Sequence, residues 1–364
     1  MSNLRVTVKV PEIEGALEVV SLCRGEKGHF YGGFTGAKGK LFFRYDIAAD
    51  EFTDLGDRVV SAPEITTFSG KPLSQKIHHA LVRLPDGRIA GGTGQNYSTH
   101  TLYTDRDDGG HVFFYDPRSG RSVDLGIPCP HEWIINLTSD PAGENLYGMS
   151  YPLNHVFRVH VKRGEMRVVG QPIAGSYGDC GCCHECCTDE EGNLYGSGTG
   201  GHIWKYDPRR DELAPTSMRL PEGALRVDSL IRGPGNLLYA GTWETGHVVR
   251  MDARKGRLDV LGQPAAGPRL PALAWRADGC LYGAAGGGDQ YKGRNAFLFR
   301  FDPRTSRLEE IGTIESKEQG IVAERIHTMI AGDDGTLYAG ETGGKSLLPG
   351  EAAMHPYLYV CKIS

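Results

Sequence analysis

The run DCGCCHECC at residues 179–187 packs five cysteines and a histidine into nine positions. Three thiols and an imidazole, Cys180, Cys182, Cys183 and His184, match in type and number a closed zinc site of the Cys3His kind. The expected role of such an ion is structural, stiffening a loop. The spacing C-x-C-C-H is tighter than the usual knuckle, which makes His202 the candidate for a ligand supplied from elsewhere. A vicinal or Cys180–Cys183 disulfide and a set of free thiols are the alternatives. Cys186 and Cys187 read differently: Cys186 falls where Leu22, Leu81, Leu230, Leu273 and Met329 stand in other copies of one repeat, and Cys187 where Cys23, Val82, Ile231, Ala274 and Ile330 stand. A free cysteine there acts as a small hydrophobe.

A second group recurs in phase. His79, Asn136, His184, Asp228 and His327 each stand eight residues before a turn glycine or its equivalent. Two residues further back come Arg226, Arg269 and Arg325, a cationic arc in a chain that is acidic overall. Guanidinium forks hold carboxylates and sulfates bidentately, so the arc predicts an anion-binding surface. A ring of solvated side chains is the plainer reading. The long loop at 91–110 adds Asn96, Tyr97, His100 and Tyr103. Shorter loops add Tyr151 and Trp243, the latter a stacking platform for a sugar ring. His111, His155, His202 and His247 recur at another phase, each opening an aromatic strand. Recurrence of that kind predicts a structural hydrogen bond, since an active site is needed once.

The element that must position these residues is a repeated small sheet. A turn glycine, a pair such as Leu-Tyr, a Gly-rich stretch and an aromatic strand ending near Tyr-Asp-Pro recur seven times, from GHFYGGFT at 28–35 to GTLYAGE at 335–341. The period is about 40–55 residues, and each unit carries four short strands. Almost nothing follows a helical period. Seven four-stranded antiparallel units predict an all-β, seven-bladed propeller, one domain over 1–364. The last unit supplies three strands, so LRVTVKV at 4–10 is expected to complete that blade and remove an exposed sheet edge. In a propeller the loops entering the inner strands share one face with those joining the second and third strands. The residues above therefore converge on one channel mouth.

Composition narrows the partners. The 364 residues include 51 Gly, 39% are hydrophobic and 23% charged, as in an ordinary folded chain. No stretch approaches the roughly 18 apolar residues of a membrane helix, so no membrane partner is expected. Net charge is −5 with no long basic run, which argues against nucleic acid. The N-terminus lacks a signal-peptide profile, so the chain as written reads as cytoplasmic, or as secreted or periplasmic if a leader has been removed. Nothing fixes an oligomeric state, and no organic cofactor is expected.

The segments KIHHALVRLPDGRIAGGT, GGHVFFYDPRSGRSVDLG and LYGMSYPLNHVFRV, with His100 between the first two, resemble the seven-bladed propeller polysaccharide lyases. These are the ulvan lyase and rhamnose–glucuronate lyase type, with the related propeller rhamnosidases. The resemblance is clearest over residues 76–170. It implies His79 and His100 as proton-transfer histidines, Tyr151 as acid or as both acid and base, and Arg226 as a carboxylate-neutralising group. Arg269, Arg325, Asn96, Tyr97 and Trp243 would complete the substrate surface. Where the family tends to place an arginine, this chain has the cysteine run. Some ulvan lyases are similar in carrying a Cys/His zinc near the site. The implied reaction is β-elimination on a uronic-acid residue of an acidic oligo- or polysaccharide. A rhamnosidase-like hydrolase and a non-catalytic carbohydrate- or protein-binding propeller are the alternatives.

Overall fold

The structure, a computed structural model, describes residues 4–36, 41–59, 75–95, 108–178, 182–265, 269–286, 294–342 and 355–364. Seven antiparallel sheets follow one another along the chain, each with its strands in sequence order except the last, whose outer strand is the N-terminal one. Their inner strands are Ala16–Arg24, Leu81–Arg83, Trp133–Ser139, Cys187–Thr188, Val227–Arg232, Ala272–Trp275 and Ile326–Ala331. We number the blades in that order. The architecture is the expected seven-bladed propeller.

Blade 7 closes as the sequence predicts. Leu4–Lys9 pairs antiparallel with Leu358–Ile363, placing Val6 opposite Cys361 and Val8 opposite Tyr359. The Gln319 side chain grips this outer strand, accepting from Val8 N at 2.7 Å and donating to Val8 O at 2.9 Å.

The glycine–aromatic signature has a direct physical cause. Gly32 lies opposite Phe43, Gly91 opposite Phe113, Gly148 opposite Phe157, Gly196 opposite Trp204 and Gly283 opposite Phe299. In each pair the third-strand ring lies over the second-strand glycine, where a Cβ would overlap it. Blades 5 and 7 use Ala240 opposite Val249 and Ala339 opposite Tyr359. A small residue lets a bulky one lie flat inside the blade, and the sheet faces then pack on their neighbours.

The core is accordingly a ring of interfaces between blades. One buried cluster joins Tyr147 and Met149 of blade 3 to Trp204 of blade 4 and Val249 of blade 5. Another joins Phe30 of blade 1 to Tyr338 and Leu358 of blade 7. Two details go beyond the repeat. Gln75–Lys76 bridges blades 1 and 2 by pairing with Thr35–Gly36 and Gly94–Gln95, and Glu315–Ser316 forms a small hairpin with Ile321–Val322. The first of these holds the segment that carries the site.

Candidate metal centre at the channel mouth

Between Lys76 and the inner strand of blade 2 runs Ile77–Ala80, and it carries two consecutive histidines. Successive side chains on an extended chain point to opposite sides. His79 breaks that rule with φ of 40°, an uncommon conformation for a residue with a Cβ. Both rings thereby face the axis, 4.6 Å apart between centroids. The turn is pinned on both sides: His79 N donates to Val20 O of blade 1 at 3.5 Å, and His79 O accepts from Leu137 N of blade 3 at 3.2 Å.

His184 approaches from the entry to blade 4 and His327 from the inner strand of blade 7. One nitrogen from each of His78, His79, His184 and His327 can be chosen so that all four lie within 4.8 Å of one another. His78 Nε2 and His327 Nε2 are 3.1 Å apart. All four residues are buried.

The opposite ring nitrogens show which atoms face inward. His78 Nδ1 lies 2.9 Å from Ile135 O, His79 Nδ1 3.1 Å from Glu185 Oε1, and His184 Nδ1 3.2 Å from Asp228 Oδ1. A carbonyl or carboxylate accepts only from N–H, so His78 and His79 carry the proton on Nδ1 and present the Nε2 lone pair, while His184 Nδ1 stands between Asp228 Oδ1 and the donor Arg269 Nη2, the latter at 2.9 Å. Such outer partners are what orient metal-ligating histidines. Glu185 is itself fixed, its other oxygen accepting from Leu230 N at 2.8 Å. Asp228 is gripped by the buried Arg269, whose Nε is 2.8 Å from Oδ2. Burial alone would raise the Asp228 carboxyl; Arg269 and His184 outweigh it and hold the carboxyl well below the usual range.

Burial, reinforced by neighbouring Lys76, His79 and His184, pushes His78 well below its ordinary value. Burial likewise lowers His184 and His327. Neutral imidazole is the form that binds metal. His79 Nε2 is buried without a hydrogen-bond partner among the described residues. An orphaned buried polar atom costs about 1–3 kcal/mol, and a shared cation would satisfy it. The donor set therefore fits a metal ion on the geometry of the protein alone.

This revises the cysteine reading. His184 stands with three histidines, and its neighbour Cys183 points the other way, into blade 4. The Cys183 thiol is 3.4 Å from that of Cys186, on the side occupied by Gly196 and Trp204. The Cys182 thiol donates to Cys183 O at 3.5 Å. The eight described cysteines are buried and unbridged, Cys186 and Cys187 among them as expected of core residues. Cys180 lies outside the described residues. The only cluster of three or more metal-ligating side chains among the described residues is the four-histidine one.

Around the histidines the mouth carries two aromatic platforms. Trp243 is flanked by the guanidiniums of Arg226 and Arg269, 3.9 and 3.4 Å from its ring centroid, and its ring meets His184 at 4.4 Å. Trp133 has Lys76 Nζ over it at 4.6 Å, with Tyr151 at 5.0 Å and His78 at 6.0 Å. The arginine arc is thus differentiated. Arg269 is buried against Asp228, Arg226 Nε lies 3.3 Å from Glu244, and the Arg325 backbone N–H points to Glu341 at 3.4 Å. His100, Asn96, Tyr97 and Tyr103 lie outside the described residues. Below the histidines the channel holds a cavity of about 220 Å³ lined by His79, Glu185, Cys186, Cys187, Arg232 and Thr328.

His78 is the residue that sequence reasoning misses. The histidine doublet was its signal, but alternation assigns one member outward, and only the turn at His79 reverses that. Asn136 proves structural: it donates to Cys183 O at 3.1 Å and accepts from Met149 N at 3.2 Å.

No protein-family model matches the chain, and no curated protein matches it either. Solved structures do. Virginiamycin B lyase from Staphylococcus aureus superposes with a TM-score of 0.66 at 13% identity, over 99% of both chains. A streptogramin B lyase structure gives 0.68 at 12%, over 100% of this chain and 98% of that one. The likeness is one of fold. The RRP9 WD40 repeats make the point, with a TM-score of 0.58 at 9% identity over 98% of this chain and all of that one. Function on such a frame is argued from the site.

Proposed function

We propose that the protein is a carbon–oxygen lyase that takes a uronic-acid-containing glycan at the channel mouth, beside a zinc ion held by His78, His79, His184 and His327. The observation that carries this reading is the pair of guanidiniums, Arg226 and Arg269, gathered on Trp243 where its ring touches His184. A uronate offers a carboxylate, and this arrangement offers guanidinium groups beside the histidines to receive it. Support for elimination comes from the resemblance over 76–170 and from the lyases among the proteins of similar fold.

Elimination removes a proton from the carbon next to the carboxylate and expels the glycosidic oxygen one carbon further on. The carboxylate must be neutralised first. Arg226, one face on Trp243 and 13% exposed, orients it from the mouth. Arg269 acts behind, setting the ring of His184 through Asp228 and directly from 2.9 Å. A divalent ion held by four imidazoles has no open position, so it would supply positive charge beside the carboxylate and not a coordination site for it. His79 serves this chemistry as a ligand: its side chain is 1% exposed and tied to Glu185, a poor position for a base that must meet a polymer. Tyr151, half-buried beside Trp133, moves the proton. Imidazole donors suit zinc, which does not change oxidation state.

The test is incubation with uronate polysaccharides, read as the ultraviolet absorbance of a new unsaturated uronyl end. Tyr151→Phe is expected to lower turnover by at least about a hundredfold with the fold intact. Products lacking the double bond would replace the lyase by a hydrolase. Full turnover by Tyr151→Phe would remove that residue from the proton path.

A further inference from the structure

The cysteine run is left without a role by a centre made of histidines, yet its geometry is specific. Cys183, His184, Glu185 and Cys186 form a C-x-x-C segment whose two thiols lie 3.4 Å apart. The residues between them are a histidine of the cluster and the carboxylate that holds another one, Glu185 at 3.1 Å from His79 Nδ1. Cys186 lines the channel cavity of about 220 Å³ and is 7% exposed, whereas Cys183 is sealed behind it at 0%.

We propose that Cys183 and Cys186 are a reversible oxidation site, closing to a disulfide that loosens the four-histidine centre. The oxidant class is a hydroperoxide small enough to enter the channel. Its O–O bond breaks as an S–O bond forms at Cys186, releasing one water or alcohol and leaving a sulfenic acid. The Cys183 sulfur then attacks that sulfur; the S–S bond forms, the S–O bond breaks and a water leaves. Two thiols have lost two electrons and two protons, and a dithiol reductant reverses the change by exchange.

Closing from 3.4 Å to a disulfide bond draws the sulfurs together by roughly 1.4 Å. The two residues caught in the loop must move with them. Glu185 is anchored at Leu230 N and His79, and His184 at Asp228. A shift strains both anchors, and disturbing such outer partners costs about 10–100-fold in metal affinity. This coupling rests on the proposed metal centre; the disulfide does not.

The full-length protein, treated with hydrogen peroxide and then with a dithiol, tests both halves. Intact mass is expected to fall by about 2 Da on oxidation and recover on reduction. Peptide mapping should join Cys183 to Cys186. Cys186→Ser should abolish the link and Cys187→Ser keep it, while differential alkylation of the unmutated protein gives the same pairing without a variant. No mass loss, or a link through Cys180 or Cys182, overturns the site. Zinc competition against a chromogenic chelator should show the oxidised form binding at least about tenfold more weakly. Equal affinity in the two forms overturns the coupling. Zinc binding by neither form overturns the coupling together with the metal centre, and the mapped link still decides the site.

Discussion

The propeller carries two families of histidines, each in phase with the repeat, and they have opposite fates. His79, His184 and His327 enter the inner strands, and with His78 they meet on the axis within 4.8 Å. His111, His155, His202 and His247 stand at the third strands and stay apart, each bonded within its own blade: His111 to Asp124, His155 to Glu132, His202 to Arg219 and His247 to Thr245. In three of those blades the histidine N–H is also held by the hydroxyl of Thr93, Ser150 or Thr242. Radius makes the difference. Side chains at one phase converge from every blade if they line the channel, and never meet if they sit further out. A repeated residue is therefore structural at the rim and collective at the axis.

Breaking the axial set should have the largest effect. Alanine at His78, His79, His184 or His327 is expected to lower zinc affinity by at least about a hundredfold, more than loss of an outer partner costs. His78→Ala matters most here, because it alone tests a residue outside the repeated phase. Zinc retained by His78→Ala would reduce the centre to three histidines.

Asp228→Asn comes next. It leaves Arg269 buried without its counter-charge, which costs about 3–5 kcal/mol and should lower the melting temperature sharply. Metal affinity should fall as well, since the carboxylate that anchors both Arg269 and the His184 ring becomes a neutral amide. A stable variant with unchanged zinc binding would show that Asp228 does not orient the ring.

At the rim, alanine at His111, His155, His202 or His247 should cost about 1 kcal/mol each, the worth of a partly exposed hydrogen bond, and leave metal content untouched. Loss of metal from any of the four would dissolve the distinction between axis and rim.

Glu341 provides a titrating control off the axis. Burial pushes its carboxyl up to about 7 from the ordinary 4.5, despite donors from Tyr359, Glu324 N and Arg325 N. A raised native value means the protonated form is favoured on folding. That contribution is complete below 4.5 and lost as pH rises through about 7. Glu341→Gln should flatten the stability profile between about pH 5 and pH 8 without altering zinc affinity.

The blades were legible because their cause is local. A glycine facing an aromatic ring leaves its mark at fixed spacing in every copy, and the pairing of Leu4–Lys9 with Leu358–Ile363 follows from counting strands. Three axial histidines were legible as a phase. Their partnership was not, because the sequence shows that His184 is next to cysteines and does not show which way each side chain turns. The inner strand of blade 4 begins only at Cys187, so Cys183 and His184 diverge in the approach to it. His78 was hidden by a single backbone angle. The arginines illustrate the same limit: their height was readable, but not that Asp228 would bury Arg269.

The central claim is that the ion belongs to four imidazoles. X-ray absorption at the zinc edge on the zinc-loaded, reduced protein tests it most directly. The account predicts a first shell of nitrogen or oxygen alone at about 2.0–2.1 Å, with the outer scattering of imidazole rings. A sulfur shell at about 2.3 Å would contradict it and return the metal to the cysteine run.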